Sequence, residues 1–282
     1  TLATAVAACY MNIPLAHTQG GEVTGSIDEN VRHAITKLAH IHFPATKRAK
    51  DFLLKMGEQP ERIFLTGCPA MDIISKLDLS ITDEMTTFKK GVGNMIDLKK
   101  PYIVVLQHPV TTEYLDSRKQ IAETLKAVRI LISEIGIQVV WLWPNIDAGT
   151  DSITNYLRTF REENKDESKI QFIKNLSPEN YVRLINNSKC LIGNSSSAIR
   201  EGSFLGVPSV NIGNRQMNRE FGENIMNVNH SYLEILNAIK AQIKHKRYSK
   251  SNLYGDGKAS DKIANILAES NPSLIKKLTY LN

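Results

Sequence analysis

Short β-branched apolar runs alternate with amphipathic segments along almost the whole chain, and that alternation leaves few fold classes open. Asn12–His17 (NIPLAH), Ile41-His42-Phe43 and Ile63-Phe64-Leu65 read as brief strands. Glu29–His40 sets Val31, Ile35, Leu38 and Ala39 on one helical face, and Thr46–Met56 reads as a second helix. From Tyr102 the pattern repeats with longer elements. Tyr102–Leu106 (YIVVL) is a continuous run suited to a strand buried on both faces. Arg118–Ile135 spaces Ile121, Leu125, Val128, Ile132 and Ile135 as one helix face. Further strands are predicted over Ile137–Trp143, Ile170–Ile173, Lys189–Ile192 and Ser209–Ile212. Helices are predicted between them over Asp151–Arg161, Ser177–Asn187 and Ser196–Leu205, and later over Tyr232–Lys244 and Ala259–Ala268. Repeated β-α units predict an α/β fold of parallel sheets covered by helices.

A chain of 282 residues, 42% hydrophobic, can bury the cores of two ordinary domains. Leu77–Lys100 is polar, holds Gly91-Val92-Gly93-Asn94 and ends on Lys99-Lys100-Pro101, so the interdomain connection is expected there. That gives a first domain of residues 1–98, joined by a C-terminal helix within 258–282, and a second domain of 99–257. The chain opens on Thr1 already inside an amphipathic helix, so an earlier part of the protein is expected upstream.

Several functions are disfavoured. No run of 18 apolar residues marks a membrane span. A net charge of +6 permits an anionic partner, but no basic block interleaved with aromatics points to nucleic acid. Cys9, Cys68 and Cys190 are scattered and odd in number, which suits reduced thiols in a cytoplasmic protein. His40-Ile41-His42 lacks a third ligand nearby, so no metal is expected. Gly255–Ser260 (GDGKAS) follows no strand and misses the third glycine of the dinucleotide fingerprint.

Ligands of parallel α/β sheets sit outside the carboxyl ends of the strands. The residues just after each predicted strand are unusually polar: HTQGGE from His17, QHP from Gln107, PNIDAG from Pro144, NLS from Asn175, GNSSS from Gly193 and GNR from Gly213. Six such loops in strand order suggest one crevice. In the Gly193 loop, Ser195, Ser196 and Ser197 open a helix whose free N–H groups suit a diphosphate, although an ordinary N-cap with a spare serine or two reads the same way. Glu201, further along, can accept hydrogen bonds from a ribose diol or pair with Arg200. His108 and Asn145 end adjacent strands, where a histidine can donate to a departing phosphate. Glu22, Asp28, Glu29, Arg32 and His33 form either an acid/base cluster or helix-start acidity with pairs four apart.

The blocks His17–Thr46 (HTQGGEVTGSIDENVRHAITKLAHIHFPAT), GCPAMD from Gly67, LQHPVTTE from Leu106, PNIDAG from Pro144, GNSSSAIREGSFLGVP from Gly193 and NIGNRQMNRE from Asn211 resemble the hydrolysing UDP-N-acetylglucosamine 2-epimerases of sialic-acid and legionaminic-acid synthesis. The resemblance runs from Thr1 to about Ala259. It implies two Rossmann-like domains in a glycosyltransferase-B-like arrangement, with the N-terminal domain incomplete here. It implies that UDP is held by His108, Ser195, Ser196 and Arg215, with uracil read at Leu176, ribose by Glu201, and Asn145 in the cleft. It implies Asp28, Gln19, Glu22 and His108 as the catalytic set, with His17 and Arg32 beside the sugar. Gln19 stands where many members carry glutamate, and an amide cannot exchange protons usefully. The implied reaction is elimination of UDP to a glycal followed by hydration, giving N-acetylmannosamine from UDP-N-acetylglucosamine. The alternative substrate is a UDP-2,4-diacetamido-2,4,6-trideoxyglucose, and a UDP-sugar-binding fragment without turnover is a third reading. No cofactor, metal, nucleic acid or membrane is implied. The full-length protein is expected to be a dimer or tetramer, and residues 1–282 alone to bind UDP weakly with little turnover.

Overall fold

The computed structural model describes residues 1–86, 91–164 and 169–279. The chain forms two compact units: residues 1–76 with 252–282, and residues 77–251.

In the first unit, helix α1 (Leu2–Tyr10) packs on α2 (Asp28–Leu38). Strands β1 (Ala16–Thr18) and β2 (Ile41–Phe43) pair in parallel, with His17 opposite His42. Helix α3 (Lys47–Lys55) starts where the Thr46 hydroxyl accepts the Ala49 N–H at 3.1 Å. Phe43, Leu53, Ile63, Cys68 and Met71 form the buried centre. Helix α4 (Ala70–Lys76) meets the C-terminal helix Ala259–Glu269, whose first free N–H, on Ala259, is accepted by Asp72 at 2.9 Å.

The second unit begins with helix α5 (Asp83–Thr86) and strand β3 (Val92–Gly93). It continues through β4 (Tyr102–Leu106), α6 (Ser117–Ile135), β5 (Gln138–Leu142), α7 (Thr150–Glu163), β6 (Ile170–Ile173) and α8 (Pro178–Asn187). It closes with β7 (Leu191–Gly193), α9 (Ser196–Ile199), α10 (Glu201–Leu205), β8 (Ser209–Ile212), β9 (Ile225–Val228) and α11 (Tyr232–His245). The sheet order is β3-β6-β5-β4-β7-β8-β9, parallel except for β3. Along its six parallel strands this is the doubly wound Rossmann order, with the direction of winding reversed between β4 and β7. Ile103, Val105, Trp141 and Phe172 on the strands pack with Ile121, Leu125 and Val128 of α6. Each such side chain, fully buried, contributes about 1.5–3 kcal/mol by leaving water. α6 stops at Gly136, which takes the left-handed conformation at φ 64°.

Four expectations need correction. The division falls at 76/77 and 251/252, not at 98/99 and 257/258. The polar stretch after Leu77 is not only a connection, because β3 closes the edge of the large sheet and Ile96 and Leu98 are buried. Ile63-Phe64-Leu65 forms a single bridge, His42 to Ile63, in place of a strand. Ser196–Leu205 is two short helices with a break at Arg200 (φ −89°, ψ −71°). No helix among the described residues is long and apolar enough to cross a membrane.

Candidate functional site

The point between β4 and β7 is where a Rossmann sheet opens a crevice, because the connections on either side leave in opposite directions. β4 delivers Gln107 and His108 there, and β7 delivers Asn194 and Ser195. The two loops are tied together reciprocally. The His108 N–H donates to Asn194 Oδ1 at 2.7 Å, and Asn194 Nδ2 donates to the His108 carbonyl at 2.8 Å. This close approach depends on Gly193 at φ 135°: a Cβ there would lie 2.0 Å from the Leu106 carbonyl oxygen.

His108 is 5% exposed, and its Nδ1 accepts the Asn145 N–H at 3.1 Å. A ring that accepts at Nδ1 carries its proton on Nε2, so the neutral imidazole offers one N–H from a fixed orientation. Burial, helped by the Arg215 charge, pushes its pKa down to about 3. Arg215 donates to the Asn194 carbonyl at 3.2 Å, and Gln216 Nε2 to the same oxygen at 2.9 Å. Thus His108, Asn145 through its backbone, and Arg215 are brought into one network with Asn194 at its centre.

Ser195 caps α9, its hydroxyl accepting the Ser197 N–H at 3.3 Å. Ser197 in turn bonds Tyr181 of α8 and lies 2.9 Å from the Ser195 hydroxyl. Ser196 accepts from Arg200 Nη2 at 3.2 Å, and Arg200 Nε lies 4.0 Å from Glu201 Oε2. The break at Arg200 turns Glu201 into the start of a second helical turn. Leu176 follows β6, half-buried, just before the Ser177 cap of α8. Loops after five of the parallel strands therefore share the carboxyl edge of one sheet.

The other expected residues collect in the first unit. Gln19 and Gly21 both take left-handed φ, 60° and 78°, which makes the loop after β1 a tight turn. A Cβ on Gly21 would lie 2.1 Å from the Ala49 carbonyl oxygen, so only glycine fits. Gln19 Nε2 donates to Cys68 Sγ at 3.3 Å. Glu22 is 6% exposed, and its carbonyl accepts from Arg32 Nη1 at 2.8 Å. Asp28 is exposed and accepts the Ser26 hydroxyl at 3.1 Å, while Glu29 caps the Thr24 N–H at 2.8 Å and lies 3.5 Å from His33. His17 Nδ1 lies 3.2 Å from the Thr36 hydroxyl. Burial lowers its pKa to about 4, reinforced by His42, Arg32 and Lys276 and opposed by Glu58.

Asn194, Gln216 and Tyr181 were not singled out from sequence. An asparagine directly after a strand that ends in glycine was the available signal for Asn194.

The sequence model of the family described as UDP-N-acetylglucosamine 2-epimerase matches residues 1–268. The chain belongs to the UDP-N-acetylglucosamine 2-epimerase family. It is 35% identical over 266 residues to a UDP-N,N'-diacetylbacillosamine 2-epimerase (hydrolyzing) of Legionella pneumophila, covering 94% of this chain and 67% of that protein. It is 30% identical over 243 residues to the UDP-N-acetylglucosamine 2-epimerase of Neisseria meningitidis, covering 86% of this chain and 60% of that protein. The chain thus spans about two thirds or less of the length of these relatives. The crystal structure of Methanocaldococcus jannaschii UDP-GlcNAc 2-epimerase in complex with UDP-GlcNAc and UDP matches with a TM-score of 0.77 at 18% identity, covering 95% of this chain and 73% of that one. At that identity the likeness is one of fold, the glycosyltransferase-B-like α/β class that the family resemblance implied.

Proposed function

We propose that the protein carrying this chain is a hydrolysing 2-epimerase of a UDP-2-acetamido sugar. The observation that carries the reading is the network of His108, Asn194 and Arg215 at the point where the sheet reverses its winding. In this reading Ser195 and Ser196 hold the diphosphate, Glu201 the ribose, Leu176 the uracil and Asn145 the sugar. The neutral His108 Nε2–H and the Arg215 guanidinium meet the charge that grows on the departing UDP. Fixed donors of this kind act without having to reorganise as charge develops.

Glu22 and Asp28 form the acid/base side of the proposal, His17 and Arg32 stand beside the sugar, and Gln19 orients without exchanging protons. A base removes the C2 proton, and the C–H electron pair becomes the C1=C2 double bond. The C1–O bond breaks on the opposite face, and UDP leaves with its electrons. Water then adds oxygen to C1 while a proton returns to C2 from the other face. The products are UDP and the free 2-epimer.

Two sugars suit this scheme, N-acetylglucosamine and N,N'-diacetylbacillosamine. The higher identity to the Legionella pneumophila relative favours the second. In deuterated water the protein is expected to release UDP and a free sugar with one deuterium at C2. Release only with an added acceptor would make it a glycosyltransferase, and retained UDP on the epimerised sugar would remove the hydrolytic step. The sugar is decided by kcat/KM for the two UDP-sugars side by side. Ser196→Ala and Glu201→Ala are each expected to weaken UDP binding about tenfold, the size of one good hydrogen bond. Unchanged affinity by calorimetry would take that residue out of the site.

A further inference from the structure

The opposite edge of the large sheet, where its parallel strands begin, carries a cleft of about 950 Å³ lying wholly within the second unit. Five cations line it: Lys100, Lys169, Lys189, Lys246 and Arg247. Among the described residues no carboxylate lines it, and none of the five cations pairs with one. Nearby Lys240, by contrast, sits 2.6 Å from Glu134. Lys169 and Arg247 donate only to neutral groups, the Gly136 carbonyl at 3.0 Å and Asn186 Oδ1 at 3.1 Å. Between the cations lie apolar side chains, with Met95 68% and Ile135 55% exposed beside Ile137, Pro208 and Ile243.

The cleft is long. Lys169, Lys100 and Lys189, with Ile137 and Pro208, come from the residues just before β6, β4, β7, β5 and β8, five neighbours in the sheet, while Lys246 and Arg247 follow α11. Parallel strands sit about 4.8 Å apart, so five strand starts span about 19 Å. About six residues of extended chain cover that distance. Lys169 stands near one end of this row, Lys100 and Lys189 at its middle, and Arg247 bonds the Leu205 carbonyl beyond the β8 end. Among the described residues no aromatic ring lines the cleft, so these residues offer no stacking platform of the kind single-stranded nucleic acid uses.

We infer that this cleft binds a short extended acidic peptide segment of a partner protein, with alternating carboxylate and aliphatic side chains. Carboxylates meet the row of cations, and the aliphatic side chains cover Met95 and Ile135. Charge of one sign along the groove sets both the direction of approach and the choice of partner.

The test uses the whole chain and fluorescence anisotropy with three labelled probes: a peptide of alternating glutamate and leucine, its lysine–leucine counterpart, and oligouridylate. Saturable binding of the glutamate peptide alone is expected, weakening as salt is raised. The exposed pair Lys100→Glu and Lys189→Glu should weaken it by roughly tenfold or more, because attraction becomes repulsion. UDP binding by calorimetry reports folding of the same variant and is expected to be unchanged. No saturable binding of the glutamate peptide, equal binding of the lysine peptide, or equal affinity in the folded double variant would each overturn the inference. Tighter binding of oligouridylate would overturn it in favour of nucleic acid.

Discussion

Gly193 and Asn194 do different work at the same place. Glycine lets the backbone of β7 come close to Leu106, and asparagine then satisfies both backbone groups of His108. Gly193→Ala would set a Cβ 2.0 Å from a backbone oxygen that cannot swing away, so a loss of about 3 kcal/mol or more is expected, read as a lowered urea midpoint or as failure to accumulate folded protein. Asn194→Ala leaves the buried His108 N–H and carbonyl without that partner. Each unmet group costs about 1–3 kcal/mol, so a loss of about 2–6 kcal/mol is expected by the same measurement. An asparagine replaced by alanine without loss of stability would mean that the two loops are held by something else. His108 itself should stay neutral well below pH 6, with an imidazole NMR titration near 3 in place of the ordinary value.

At the scale of elements, the sequence was readable wherever burial was continuous. Tyr102–Leu106 and Ile170–Ile173 sit on their expected strands, because strands buried on both faces show unbroken apolar runs. β9 escaped because Ile225–Val228 is a partly exposed edge strand with asparagine inside it. β3 escaped because two residues carry no periodicity at all. Candidate loops were legible for the same reason that strand ends were. Their partners were not: Asn194 and His108 lie 86 residues apart, and periodicity reports which way a side chain faces, never what it meets.

An element-scale device also lies outside any periodicity. The segment after the C-terminal helix returns to the first unit, where Lys276 Nζ lies 2.6 Å from Glu58 and donates to the Thr36 and Ala39 carbonyls. Lys37 and His42 reach the same carboxylate at 3.0 and 2.9 Å. Burial alone would raise the Glu58 pKa, but these hydrogen bonds outweigh it and hold it at about 2. Lys276→Met should cost about 1–3 kcal/mol, less than a fully broken buried pair because two partners stay. The pH dependence has a defined sign. Folded His17 binds its proton only near pH 4 whereas the unfolded ring does so near 6.5, so stability falls as pH drops through that window. Glu58 adds a second loss between 4.5 and about 2, where the unfolded carboxylate takes a proton first. His17→Asn should make the first part of a Tm-against-pH curve less steep, with His108 supplying a remaining share of the slope, and Glu58→Gln should do the same for the second part.

For the molecule as a whole, a ligand that binds only the folded state stabilises it by mass action. UDP at a hundred times its Kd is expected to add about 2.7 kcal/mol. In hydrogen exchange the added protection should concentrate at residues 107–109, 194–197 and 214–216, which share one sheet edge. Protection spread evenly over both units, or centred on the strand starts near Lys100 and Lys189, would place the nucleotide elsewhere.

The two units also differ in how they are threaded. Residues 77–251 are one uninterrupted stretch, whereas the first unit is assembled from both sides of it. Lys276 meets Glu58 across 218 residues of chain. During synthesis the ribosome therefore delivers everything the second unit needs before the first unit can close. Until then Glu58 waits without the lysine that completes its clasp, and Asp72 waits without the helix it caps. A stalled or truncated nascent chain ending before residue 252 would hold a finished sheet beside an open partner, which makes the first unit the one that quality-control machinery would meet unfinished.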